Sequence, residues 1–450
     1  MLTGFKEKSR WGAEKDRSRS LIREDRIVSK TDRRRQKMNA RKSVKTAVIV
    51  VLILFIVEIA AVVIATCLRD EKAEPAEPLS TYWSSGSEVS QSLRDYVSRV
   101  TDPEDADSFI PEKDRIAVFD MDGTLTCETY YTYYDTMMFI EYCLHDHPER
   151  VSDELKQVAA SIKPGYVADE TLARNFAKAY AGMTMEEFYD YAVEFGQKVT
   201  ASFNNMRYID NFYLPMVELV RYLYENGFTI YVISGTERTT TRAIVANSPI
   251  QEYVTPNHVI GTDFEVKQRG HETEASNMNF KYENGDELVL TGGFIQKNLN
   301  GKKSIYVQRE IGQRPVLAFG NSGSDTSMMN YTIDSRNPYP AQAYMIVADD
   351  DVREWGTQNW EEKSAEYQEK GFVPVSMKND FAQIYEEGIT RSEVQYQEYQ
   401  EEKEPEEKQE QLEEQEPEEK QEQLEEKEPE EKQEHQEDGQ ESEEEELNAA

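Results

Sequence analysis

Cysteine is nearly absent from this chain: three in 450 residues, at Cys67, Cys127 and Cys143. No Cys-x-x-Cys pair exists, which excludes the usual zinc frameworks and a thioredoxin-like redox pair. A Cys127–Cys143 disulfide and two free buried thiols both stay open. Histidine is scarce as well, with five residues and no His-Glu-x-x-His spacing. His145 and His147 lie beside Cys143, yet they read as a surface cluster at a helix–loop junction. Positive charge is in deficit, with 51 Lys and Arg against 87 Asp and Glu and a net charge of -36. That balance excludes nucleic acid as the main partner, because phosphate binding needs a basic surface. Long apolar runs are missing too, with one exception.

The exception is residues 46–66, Thr-Ala-Val-Ile-Val-Val-Leu-Ile-Leu-Phe-Ile-Val-Glu-Ile-Ala-Ala-Val-Val-Ile-Ala-Thr. As a helix it spans roughly 30 Å, the thickness of a bilayer's hydrocarbon core. Glu58 costs on the order of 3 kcal/mol there, and the surrounding Val, Ile and Leu offset it. A cleaved signal fits poorly behind 45 preceding residues. Residues 1–45 carry 16 Lys and Arg against 6 Asp and Glu. The positive-inside rule therefore predicts a basic cytoplasmic arm (1–45), one transmembrane helix (46–66) in contact with membrane lipid, and an extracytoplasmic body.

Residues 67–86, with Pro75 and Pro78, read as a linker. At the other end, 391–450 is an acidic tail. It repeats Glu-Glu-Lys-Glu-Pro-Glu-Glu-Lys-Gln-Glu-Gln-Leu at 401–412, 413–424 and 425–436 with few changes. A proline every twelve residues and at most one leucine per repeat predict disorder. Nothing in the repeat identifies a partner.

Between these ends the pattern predicts an α/β fold. The apolar stretches 116–119, 228–233, 315–319 and 344–348 read as short buried strands alternating with helices, hence a parallel sheet. A strand region starts at Val259, and 287–291 reads as part of a hairpin turned at 284–286. Helical periodicity dominates about 128–226, with helices at 149–161, 168–180, 184–199 and 215–226. Thr184 with Glu187 forms a capping-box signature. The expected organisation is a core over 87–127 and 215–390, with a helical cap inserted at 128–214.

The first strand runs into Asp120-Met121-Asp122-Gly123-Thr124. Two carboxylates at i and i+2 repel each other in an apolar setting unless a hard cation sits beside them. Further along stand Ser234-Gly235 after a strand, Lys302-Lys303 opening a short helix, and Asn321-Ser-Gly-Ser-Asp325 after another strand.

Taken in order, these four segments resemble the four motifs of the haloacid-dehalogenase-like hydrolase superfamily. The resemblance implies a Rossmann-like sheet and a Mg²⁺-dependent phosphatase acting on a small phosphomonoester. It makes Asp120 the nucleophile and Asp122 the general acid/base. Ser234 and Gly235 would hold a phosphoryl oxygen. A lysine would neutralise the transition state, and Lys302 is favoured over Lys303 because Ile305 supplies the apolar residue three positions on. The implied metal neighbourhood is Asp120, the Met121 carbonyl, Asp122, Asn321 and Asp325, with Asp120 in direct contact, Asp122 in the outer shell, and Asp325 either a ligand, a neighbour through water, or the group that orients Lys302. An aspartate usually stands where this chain has Asn321, so one negative charge is missing. The cap's placement resembles the phosphoserine-phosphatase-like branch. Tyr130, in the aromatic run 130–134, is a substrate-pocket candidate, and rings there would suit a phospho-amine. A phosphotransferase of the same fold, or a non-catalytic membrane-anchored adaptor, are the rival readings.

Overall fold

Ile116–Phe119 (β1) are four buried residues at the centre of a seven-stranded sheet. The computed structural model describes residues 78–127, 133–163, 169–274 and 280–392. The basic arm, the apolar segment 46–66, most of the acidic tail and Tyr130 lie outside them. Among the described residues no helix is long and apolar enough to cross a membrane.

The sheet's other strands are β3 (Thr229–Glu237), β4 (Val259–Gln268), β5 (Leu288–Gln296), β6 (Leu317–Gly320), β7 (Gln342–Val347) and β8 (Val373–Ser376), while the short β2 (Phe203–Asn204) pairs apart from them with Thr390–Arg391. The sheet order is β5-β4-β3-β1-β6-β7-β8. All neighbours pair in parallel except β4 and β5. The chain goes from β1 to β3 on one side and later to β6 on the other. The carboxyl ends of β1, β3 and β6 therefore frame a topological switch point, where open α/β sheets bind ligands.

Alternation sends side chains to two cores. Ala117, Phe119 and Val232 face one side, while Ile116, Val118 and Ile233 face the other. Helices α1 (Glu88–Thr101), α6 (Leu214–Glu225) and α7 (Arg238–Ala246) bury their apolar stripes on the first side. On the second lie α8 (Gly301–Tyr306), α9 (Thr326–Ile333) and α10 (Trp360–Glu369). Phe119, Phe319 and Tyr344 stack across three strands, with ring centroids 4.4 and 5.1 Å apart.

Between β1 and α6 the described residues form the α-helices α2 (Tyr134–Glu141), α3 (Asp153–Ser161), α4 (Glu170–Ala179) and α5 (Met185–Gly196). Ser152, Asp169 and Thr184 cap the last three, and the Thr184–Glu187 capping box is complete. These helices are stitched to the sheet. Gly182 donates its N–H to the Leu290 carbonyl at 2.7 Å, and Leu290 donates back to Met183 at 2.9 Å. The outer edge of β5 is thus covered rather than left open.

Several expectations need correction. Part of the supposed linker is folded: Leu79 and Trp83 are buried, and the Thr81 and Tyr82 amides donate to Glu218 at 3.1 and 3.0 Å. The 284–286 turn precedes β5, but β4 ends at Gln268, so the connection is longer than a tight hairpin. The strand β8 and helix α10 carry no strong periodic signal and were not anticipated. Of the two outcomes left open for Cys127 and Cys143, the structure shows buried thiols with no disulfide between them.

Truncating the middle ring of the stack tests the packing. Phe319→Ala should destabilise by about 3–5 kcal/mol, read as a lower urea midpoint; an unchanged midpoint would refute a packed centre.

Candidate functional site

The site begins where β1 stops. Asp120 is tied to β6 by its N–H, which donates to the Phe319 carbonyl at 2.9 Å. Gly123 then takes a positive φ of 78°, which L side chains rarely adopt, and turns the chain away. The turn closes on the Met121 carbonyl, which accepts the amides of Thr124, Leu125 and Thr126 at 2.8–3.1 Å. The Thr126 hydroxyl donates to it as well. That carbonyl is spent inside the turn, so the Met121 metal contact expected from sequence is corrected.

Lys303 is completely buried, and its ammonium donates to Asp120 Oδ1 and to Asp325 Oδ1, the latter at 2.6 Å. Burial works against its charge, but Asp120 and Asp325 outweigh burial and raise its pKa. Asp325 Oδ2 accepts the amides of Asn321 and Ser322, both at 3.1 Å. Both Asp325 oxygens are therefore occupied, and of the roles open to it Asp325 takes that of orienting a lysine, Lys303 rather than Lys302.

Lys302 points elsewhere. Its Nζ is exposed and donates to Gln296 Oε1 at 3.3 Å. Consecutive helix residues face different ways. Ile305, the apolar residue used to choose Lys302, is 46% exposed, whereas Tyr306, three beyond Lys303, is buried. The inward face of α8 is one residue off the sequence reading.

Asp122 comes from the same turn. Its Oδ2 accepts the Thr236 hydroxyl at 2.9 Å. Thr236 reaches it through an irregularity in β3, where the register to β4 shifts between Ile233 and Glu237. Bulges of this kind re-aim side chains beside active sites. Gly261 lets the bulge pass, since a Cβ there would lie 2.8 Å from the Thr236 carbonyl. Ser234 is fully buried, and its hydroxyl accepts the Thr236 N–H at 3.0 Å. It braces the bulge while Gly235 and Thr236 line the cavity.

That cavity measures about 340 Å³, lined among others by Asp120, Asp122, Tyr133, Asp135, Gly235, Thr236, Lys297 and Asn321. Tyr133 falls in the aromatic run expected to line a pocket, and Thr236 ends the second motif segment; Asp135 and Lys297 carry no signal in sequence and become neighbours only through the fold. Tyr134 belongs to cap packing, with its ring against Phe195 and its hydroxyl on the Ala192 carbonyl.

Burial raises the Asp120 pKa to about 7; Asp325 adds to the rise and Lys303 opposes it. Burial, then Asp135 and Asp120, push Asp122 up to about 8. One Asp122 oxygen, Oδ1, is buried with no hydrogen-bond partner. Among the described residues no three His, Cys, Asp or Glu side chains form a metal cage. The donor set is two carboxylates and the Asn321 amide, all oxygen. It fits a cation such as Mg²⁺, which keeps several waters and needs few protein ligands.

Residues 117–330 match the haloacid dehalogenase-like hydrolase family. The matched stretch runs from β1 into α9 and takes in all four site segments. Within it the Asp120–Asp122 pair stands at the carboxyl end of the central strand and lines the cavity. No curated protein matches the sequence. A functionally unknown protein from Anaerococcus prevotii is similar in structure at 12% identity and a TM-score of 0.41, covering 67% of this chain and 94% of that one. Cytosolic 5'-nucleotidase IIIB bound to cytidine aligns at 11% identity and 0.35, covering 64% and 85%. A probable phosphoserine phosphatase from Vibrio cholerae aligns at 12% and 0.31, covering 59% and 62%.

Without a cation, the domain that holds this site should lose stability as pH rises. Asp120 and Asp122 keep protons in the folded state that the unfolded chain releases near pH 4. Stability contributed by those protons falls between about pH 4 and 8. In chelator the melting temperature is expected to drop over that interval, and Mg²⁺ at pH 8 to restore it. A flat profile, or no response to Mg²⁺, would contradict the assigned environment.

Proposed function

We propose that this chain is a Mg²⁺-dependent phosphomonoesterase that hydrolyses a small phosphorylated metabolite through an aspartyl-phosphate. The observation that carries this reading is the pair of carboxylates in one cavity with different partners. Asp120 is held by Lys303, and Asp122 by Thr236.

The division of labour follows from those partners. An Asp120 oxygen attacks phosphorus in line, and the ester P–O bond breaks. Asp122, raised to about 8, holds a proton at neutral pH and passes it to the leaving alkoxide. As a carboxylate it then takes a proton from water, whose oxygen attacks phosphorus. The acyl P–O bond breaks, phosphate leaves and Asp120 is restored. Lys303 supplies positive charge at the nucleophile throughout. Gly235 and Thr236 bound the phosphoryl side of the cavity. Asp120 and Asn321 would hold Mg²⁺, with Asp122 in its outer shell, and the cation would supply charge neutralisation for the phosphoryl oxygens when bound. The helices between β1 and α6 exclude bulk water, an arrangement that supports placement in the phosphoserine-phosphatase-like branch.

The same proposal includes location. The apolar segment 46–66 anchors the chain once in a membrane, with residues 1–45 cytoplasmic and the catalytic domain outside. Charge asymmetry around the segment supports this orientation. Membrane-impermeant labelling of intact cells should modify lysines of the domain; a protected domain would reverse the orientation.

Activity is tested with the full-length chain and a panel of phosphomonoesters. Asp120→Asn should abolish turnover. Lys303→Met should lower kcat by roughly 100-fold or more, whereas Lys302→Met should change it by less than about threefold. Turnover surviving in Asp120→Asn would refute the mechanism, and a dominant loss from Lys302→Met would refute the choice of lysine.

A further inference from the structure

The phosphoryl chemistry leaves two charged residues of the cavity without a task. Lys297 follows β5, and Asp135 stands in the first turn of α2. Both side chains are under 10% exposed, and both line the cavity that holds Asp120 and Asp122. Burying two charges beside an acidic centre is costly, so packing alone gives no reason for them.

Lys297 Nζ stands 3.8 Å from Asp135 Oδ2, too far for a hydrogen bond. The other buried lysine of the cavity region closes on its partner, with Lys303 Nζ 2.6 Å from Asp325 Oδ1, whereas pairs as loose as this one, such as Arg314–Asp334 at 3.9 Å, are more exposed. Among the described residues Lys297 Nζ donates no hydrogen bond, so its three donors are available. Asp135 Oδ1 is engaged by the Thr136 hydroxyl at 3.2 Å, which leaves Oδ2 facing the lysine. Beyond Lys297 the cavity adjoins a second groove that shares Lys297, Leu299 and Asn300. Gln296 lines that groove, and its Nε2 is buried without a partner.

The pair sums to zero charge. A lone cationic head would gain Asp135 but face Lys297 as a like charge. A lone carboxylate would have the opposite fault. A neutral hydroxyl satisfies both, because one oxygen donates a proton to Asp135 and accepts one from Lys297. An extra hydroxyl acceptor nearby would also satisfy the Gln296 amide.

We propose that Lys297 and Asp135 form a hydroxyl-reading subsite, and that the substrate is a phosphomonoester whose alcohol portion carries at least one further hydroxyl, as in a polyol or sugar phosphate. This deepens the phosphomonoesterase reading and rests on it. The phospho-amine suggested by the aromatic run loses its basis here, since Lys297 opposes a second cation.

Matched substrates decide the matter without mutation. The full-length chain in mild detergent with Mg²⁺ is assayed on glycerol 1-phosphate, n-propyl phosphate, phosphoserine, phosphorylcholine and p-nitrophenyl phosphate. The expected kcat/KM for glycerol 1-phosphate exceeds that for n-propyl phosphate by about tenfold or more, as for hydrogen bonds to charged groups. It also exceeds the values for phosphoserine and phosphorylcholine. In the doubly neutral variant Asp135→Asn/Lys297→Met, which leaves no single buried charge, the glycerol-to-propyl ratio should fall at least fivefold. A wild-type enzyme that hydrolyses p-nitrophenyl phosphate yet shows no hydroxyl preference overturns the subsite and leaves the phosphomonoesterase reading standing. A preference for phosphoserine or phosphorylcholine, or a variant that keeps the wild-type ratio, overturns the subsite in the same way. No turnover of any ester overturns both.

Discussion

A lysine with no solvent contact lies between two carboxylates, and much of the site is arranged around that fact. Lys303 is tolerable only because Asp120 and Asp325 both receive its protons. Removing one partner of such a buried pair typically costs about 3–5 kcal/mol, since the remaining charge is left unpaired. The constraint reaches outward. Asp325 must be fixed, and the amides of Asn321 and Ser322 fix it. Asp120 must be fixed, and its place between β3 and β6 does so. The stacked Phe119 and Phe319 keep β1 and β6 in register just beneath the charges.

The second carboxylate has a different setting two residues away. Asp122 has no cation of its own in close contact; it has a threonine hydroxyl on one oxygen and nothing on the other. Burial and its acidic neighbours keep a proton on it at neutral pH. One turn thus presents a nucleophile beside a lysine and an acid beside a hydroxyl. The bulge in β3 makes this possible, since a regular strand would carry Thr236 past the turn. The cap supplies the remaining wall through Tyr133 and Asp135, and its backbone ties to β5 hold that wall against the sheet.

The strands and the acidic pair were legible in sequence because their signals are local. Four apolar residues ending in Asp-x-Asp-Gly read the same way in isolation as in the fold. The capping box at Thr184 was equally local. The lysine was misread because a six-residue helix presents too little periodicity to set its phase, and Ile305 gave a false reference. The Met121 carbonyl was misread because its fate depends on where the turn closes, five residues later. Trp83 was lost in a proline-bearing stretch whose burial depends on α6 and residues near 381. Lys297 and Asp135 are 162 positions apart, and only the docking of the cap on β5 places them in one cavity.

The central claim is that Asp120 carries the phosphoryl group. Rapid quench during turnover, borohydride reduction of the acyl phosphate and peptide mass mapping test it directly. The account expects residue 120 to be recovered as homoserine, dependent on substrate. Reduction mapped to another carboxylate, or none while phosphate is being released, would contradict it.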